Sequence, residues 1–276
     1  MNARHIQTRV LLYLFLSAAV AISALPLIWG ISSSFKAPAE LFSLPVRLFP
    51  RAFNLGNYRK ILEQGFIKTI SNSLLVAGSS VFLVIIMASC CAYALARFRF
   101  RGKSAVLWII LLTMMVPGLA SLIPTYMIMS RLKMIDTYQG LICAYTALNL
   151  PVSVWILRSF FLGLPAAMEE AATIDGAGPW RVFLEIMLPM ARPGIAAVAI
   201  LGFLNAWNDQ LVALTIVSRV DLRTVPLVIY LTLGDQGTDW GILTAASVLS
   251  VIPTIILFVW LQKNFISGLT AGSIKQ

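Results

Sequence analysis

Asn205, Asn208 and Asp209 interrupt an apolar run at i, i+3 and i+4, the spacing that sets three side chains on one face of a helix. Two amides and a carboxylate, with Trp207 beside them, offer hydrogen bonds and a ring surface, the chemistry that recognises a neutral, hydroxyl-rich molecule. Asp209 is the only acidic residue within any long apolar run of the chain. At membrane depth an ionised carboxylate costs roughly 2.5–3.5 kcal/mol, so it must face a cavity or a hydrogen-bonding partner. Thr146, Asn149 and Ser153 share a face of an earlier run that Pro151 interrupts, and Thr244, Ser247, Ser250 and Thr254 do roughly the same in the last. These groups serve a solute pathway or a gate, or they hold neighbouring helices together. Catalysis is not expected, because no His, Cys or carboxylate cluster is placed for it. His5 lies alone in the polar N-terminal tail, and Cys90, Cys91 and Cys143 sit inside apolar runs without metal-ligand spacing.

A second patterned group occupies 162–193. Pro165 suits the first turn of a helix, Gly176 the left-handed position that ends one, and Pro179 the start of the next. The expected form is helix, turn, helix. In the second helix Trp180, Phe183, Leu184 and Met187 fall on one apolar face, with Arg181 and Glu185 turned away. Such an amphipathic pair either lies in the lipid interface or docks on a partner.

These groups have to be positioned by elements suited to lipid. Of 276 residues 59% are apolar and 12% charged, and the mean hydropathy is +0.87. A crossing helix needs about 20 apolar residues. Six stretches qualify, at 10–31, 74–96, 105–129, 138–161, 194–217 and 241–261. The expectation is an all-α membrane protein of about six transmembrane helices, a single membrane domain over 1–276. The first run is too long for a signal-peptide core, so it reads as an uncleaved anchor with the chain starting at Met1. The net charge of +10 could suggest nucleic acid, but no basic patch is interleaved with exposed aromatics. Lys and Arg divide almost evenly between the two membrane sides. Arg97, Arg99, Arg101 and Lys103 crowd one short loop, which marks that side as cytoplasmic, together with both termini.

Glu170, Ala171 and Ala172, then three residues, Gly176, nine residues, Ile186, one residue, Leu188 and Pro189 resemble the cytoplasmic EAA signature of ABC importer permeases at every position. The resemblance implies a coupling loop seated in a cleft of a separate ATP-binding subunit. Glu169, Glu170, Ala171, Ala172, Asp175, Gly176, Ile186, Leu188 and Pro189 would be its coupling residues. The chain has no GxxxxGK[ST] loop, so ATP and Mg would bind the partner ATPase and no cofactor this chain. Further matches are similar to the maltose-type carbohydrate subgroup: Ser34, Phe35 and Lys36; Asn57 and Tyr58; Asn72, Ser73 and Leu74; Ala92 to Arg97; Pro117 and Pro124; Asn205 and Trp207 to Asp209; and Gly268 to Gly272. Gln210 departs from it, since an aromatic usually follows the acid.

That subgroup implies an inner-membrane permease paired with a second homologous permease, two ATPase subunits and an extracytoplasmic solute-binding protein. The last would meet the 218–240 loop at Asp221, Arg223, Asp235, Gln236 and Asp239. An importer of a non-sugar solute is the alternative within the class. A proton-coupled secondary transporter or channel would need a relay of ionisable groups, which one lone Asp209 does not supply. No internal repeat supports it either.

Overall fold

The structure, a computed structural model, describes residues 3–233 and 238–271, and the side chains of residues 9, 11–233 and 238–262. Asp235, Gln236 and Gly272 lie outside the described residues. The helices are α1 (Ala3–Ser34), α2 (Gly56–Glu63), α3 (Phe66–Arg97), α4 (Lys103–Met115), α5 (Gly118–Arg131), α6 (Tyr138–Gly163), α7 (Ala167–Ile174), α8 (Pro179–Met190), α9 (Arg192–Asn208), α10 (Leu211–Ile216), α11 (Val225–Leu231) and α12 (Trp240–Ala271). Among the described residues four helices are long and apolar enough to cross a membrane, six if two bent pairs each count as one.

The run at 105–129 is not one straight helix. The chain bends by 106° between α4 and α5, across Val116 and Pro117. Proline has no N–H and pushes the residue before it out of the helical region, and Val116 is accordingly extended at ψ 122°. The run at 194–217 also divides: α9 ends at Asn208, Asp209 is extended at ψ 126°, and α10 begins at Leu211. Asn205, Asn208 and Asp209 therefore do not share one helical face, because the last stands off the helix. The Asp209 carboxylate accepts the Val212 N–H at 2.9 Å, so it caps the new helix as the old one stops.

α8 departs from expectation in a third way. Its middle, Val182–Met187, is wound as a π-helix, whose wider turn rotates later side chains away from the 3.6-residue period. Phe183 and Met187 turn inward with Val182, whereas Trp180 (71%) and Leu184 (54%) stay exposed. The apolar face read from the sequence is thereby split in two.

The chain forms two compact units, Met1–Ile67 with Leu231–Ile252, and Lys68–Tyr230 with Pro253–Gln276. In the first, Asn57 donates to the carbonyls of Ser34 and Lys36, both at 2.9 Å, and Tyr58 bonds Ser34 at 2.7 Å. Lys36 is buried, donating to the Arg47 carbonyl at 2.6 Å with its ammonium over the Trp29 ring. This knot orders the segment after α1. In the second unit α6 is the most enclosed of the four long spans, half of its apolar window being buried. Its start is fixed by Thr137, whose hydroxyl caps the Gly140 N–H at 3.0 Å. One apolar core joins α3 (Val84, Ala88, Ala92, Tyr93), α6 (Val154, Leu157, Phe161), α7 (Ala172), α8 (Val182, Phe183, Met187) and α9 (Val198).

Candidate functional site

The elbow of α7 and α8 is built by the residues that its sequence singles out. Gly176 takes φ +82°, and the Ala177 and Gly176 N–H groups reach the Ala172 and Thr173 carbonyls at 2.9 and 3.0 Å. This is a Schellman ending, which turns the chain between the two helices. Pro179 then opens α8 after an extended Gly178. Glu170, Ala171, Asp175 and Gly176 are exposed, Ala172 is buried, and Ile186, Leu188 and Pro189 are half-buried. Arg181 and Glu185 form an exposed i,i+4 ion pair.

Glu169 faces inward. Its carboxylate lies 2.7 Å from the Arg97 guanidinium, with both side chains largely shielded, and Arg97 also donates to the Leu164 carbonyl at 2.7 Å. Arg158 in turn donates to the Leu95 carbonyl at 3.4 Å. Cations thus meet the carbonyl ends of both α3 and α6, where the helix dipole favours them. Tyr93, Phe161 and Phe183 close the joint, with ring centroids 4.9–6.4 Å apart. The sequence showed Arg97 as part of a basic loop and as the end of the Ala92 to Arg97 match, with no partner for its charge, and Arg158 not as a site at all; an arginine in the last turns of an apolar run was the available signal.

A second feature is a cavity of about 310 Å³, lined by the α4–α5 break (Val116, Gly118, Ser121), by Tyr145, Asn149 and Pro151 of α6, and by Asn205 and Asp209. Asn205 donates its amide to Asn149 Oδ1 at 3.0 Å, and Tyr145 donates its hydroxyl to Asp209 Oδ1 at 3.1 Å. Three of the expected pathway residues, Asn149, Asn205 and Asp209, meet here, on a wall of hydroxyl, amide and carboxylate groups. Trp207 does not join them: it is 3% exposed and stacked on Phe203 at 5.3 Å. Asn208 is exposed and donates back to the Leu204 carbonyl, and Ser247 donates to the Leu243 carbonyl of its own helix. Tyr145 was not read from the sequence, being one aromatic in an apolar run.

The opposite end of the same unit carries the 218–225 segment. Asn72 donates to the Asp221 and Arg223 carbonyls at 2.9 and 3.0 Å and accepts from the Tyr138 hydroxyl at 2.7 Å. Ser73 accepts the Val225 N–H, and Asp136 accepts those of Ser218 and Arg219. The Arg219 guanidinium donates to Asp221 at 2.7 Å and holds that carboxyl below its ordinary range. Asp239, in the other unit, accepts the Gly241 and Ile242 N–H groups and so caps α12, with Lys60 at 3.9 Å.

Residues 80–270 match the family described as "Binding-protein-dependent transport system inner membrane component". The chain is 36% identical to the sulfoquinovosyl glycerol transport system permease protein SmoH of Agrobacterium fabrum, over 95% of this chain and 93% of that one. It is 35% identical to the diacetylchitobiose uptake system permease protein NgcG of Streptomyces coelicolor, over 92% and 85%. A solved chain of a bacterial ABC transporter involved in alginate import has the same fold, with a TM-score of 0.80 at 23% identity over 96% of this chain and 99% of that one.

Proposed function

We propose that this chain, which belongs to the family of binding-protein-dependent transport system inner membrane components, is the permease subunit of an ATP-driven importer for a sugar or sugar-like solute. The carrying observation is the elbow. Its Gly176 turn leaves Glu170, Ala171 and Asp175 free to meet a partner, while its inner face is fused to the core of α3, α6 and α9. A partner that pulls on the outer face therefore pulls on the spans.

In this reading two ATPase subunits hold ATP and Mg and grip the elbows of this chain and of a second, homologous permease. Glu170 and Asp175 are the polar contacts, and Ala171 allows close approach. Closure of the ATPases draws the elbow inward and swings the spans, exposing the cavity first to one side and then to the other. Asn149, Asn205 and Asp209 offer passing hydroxyls an amide-and-carboxylate wall, and relatives named for glycosides and amino-sugar disaccharides support a carbohydrate cargo. An extracytoplasmic binding protein delivers the solute at the segment bearing Asp221 and Arg223. Both termini lie in the cytoplasm, on the side of Arg99 and Arg101.

The test is Glu170→Arg in the assembled transporter. Uptake across a panel of radiolabelled sugars should vanish and the ATPase subunits should no longer co-purify, while the chain still inserts in the membrane. Normal uptake, or failure of the unsubstituted chain to bind any ATPase subunit, would remove the basis of the proposal.

A further inference from the structure

Two polar joints, one at each end of the same helix pair, connect the elbow to the opposite loop. At the inner end Arg97 of α3 bonds the carbonyl that follows α6 and pairs with Glu169 of α7, while Arg158 of α6 bonds the end of α3. At the outer end Asn72 of α3 accepts from Tyr138 at the start of α6 and holds the Asp221 and Arg223 carbonyls. α3 and α6 therefore run parallel and are tied to each other at both ends, about 37 Å apart along α3. Between the ties, α6 carries Tyr145 and Asn149 of the cavity.

We propose that α3 and α6 act as one strut that carries movement of the elbow to the outer 218–225 segment, with Arg97–Glu169 as its inner joint and Asn72 as its outer joint. This rests on the reading that an ATPase grips the elbow. The covalent route from α8 into α9 turns by 72° at Ala191, so a push along α8 is not delivered along α9. Arg97 and Glu169 are shielded, and leaving either charge without the other is strongly unfavourable. Asn72 is 3% exposed, and loss of its amide strands two carbonyls at once. Arg97, Arg158 and Asn72 are thus positioning residues that need touch neither solute nor nucleotide.

The experiment uses the complete transporter in proteoliposomes, its chain carrying Val220→Cys with Cys90, Cys91 and Cys143 replaced by alanine. Val220 is exposed beside the carbonyls that Asn72 holds. A membrane-impermeant maleimide reads its labelling rate without nucleotide and after trapping with MgATP and vanadate, normalised to the trapped fraction. The rate should change on trapping. Arg97→Ala, Glu169→Gln and Asn72→Ala should each shrink that change about five-fold or more, the lower range of allosteric couplings. The paired exchange Arg97→Glu with Glu169→Arg should recover part of it, a rescue that general loss of packing would not give. No change in the unsubstituted transporter, an undiminished change in the single variants, or no gain from the exchange would each overturn the strut. If the elbow reading itself is wrong, the complex does not trap nucleotide or hold its ATPases, a separate and recognisable failure.

Discussion

Replacing Gly176 separates two demands for glycine in the elbow, backbone conformation and space. A Cβ added there would meet nothing within 4 Å, so in the isolated chain the side chain has room and only the backbone objects. An L-residue held at φ +82° carries about 1–2 kcal/mol of strain. Leaving that conformation instead gives up the two hydrogen bonds of the Schellman ending, each worth about 0.5–1.5 kcal/mol. The two costs are comparable, so Gly176→Ala should populate both arrangements and lower the native elbow by about five- to thirty-fold. Asparagine tolerates the left-handed region and should recover much of this, while valine, branched at Cβ, should be worst. Initial uptake rates and ATP hydrolysis in proteoliposomes should follow Gly, Asn, Ala, Val in falling order. If alanine matched glycine while asparagine and valine failed, the limit would be space against the ATPase rather than backbone strain, and the argument from φ would be refuted.

Asp209→Ala should slow uptake and weaken the α10 cap by about 0.5–2 kcal/mol, whereas Asp209→Asn keeps an acceptor for Val212 and should stay closer to native stability. Unchanged uptake in the alanine variant would reduce Asp209 to packing. Gly140→Ala would drive a Cβ into the Met134 carbonyl oxygen, an overpacking cost of about 1–3 kcal/mol or more, seen as a lower melting temperature in detergent; an unshifted transition would contradict the close approach. Because the Asp221 carboxyl is held low by Arg219, its contribution is present above the ordinary carboxylate value near 3.9 and lost as pH falls through the lower folded value. Proteolysis of the 218–223 loop should thus be flat from about pH 7 to 5 and rise only below about 4; a rise near pH 6 would rule out this pairing as the cause.

The apolar runs were readable because a helix in lipid must be apolar for its whole length, and α1, α3, α6 and α12 answer to that rule directly. Hydropathy says nothing of direction, however. The α4–α5 bend lies inside a continuous apolar run; Pro117 and Pro124 both mark that run for a kink, and it is at Pro117 that the chain breaks, while Pro124 stays inside α5. Asp209 shows the same limit from the other side. A carboxylate in an apolar stretch was rightly taken as needing partners, but that it would stop one helix and cap the next depends on ψ at one residue. Gly176 and Pro179 were legible because their constraint is local. Arg97 and Glu169 were not legible as a pair, since 72 positions of chain separate them and nothing in either neighbourhood names the other.

Among the described residues, two kinds of uncovered surface make different demands. None of the apolar window of α1 is buried; its large exposed side chains are leucine, valine, isoleucine and aromatics, which lipid satisfies without any protein partner, and the hydroxyls of Ser17 and Ser23 among them have carbonyls of their own helix within reach. Asn205 and Asn208 are exposed too, but an amide facing hydrocarbon leaves polar atoms without hydrogen bonds. Asn205 meets only part of its capacity through Asn149, and the Asn208 nitrogen turns back on Leu204. The end of α9 therefore needs water or another polar protein surface where α1 needs neither. Under the proposed function, a second permease placed against this end, with the cavity between them, would meet that need and would bring a solute to the Asn149, Asn205 and Asp209 wall; a partner placed against α1 would leave the amides stranded.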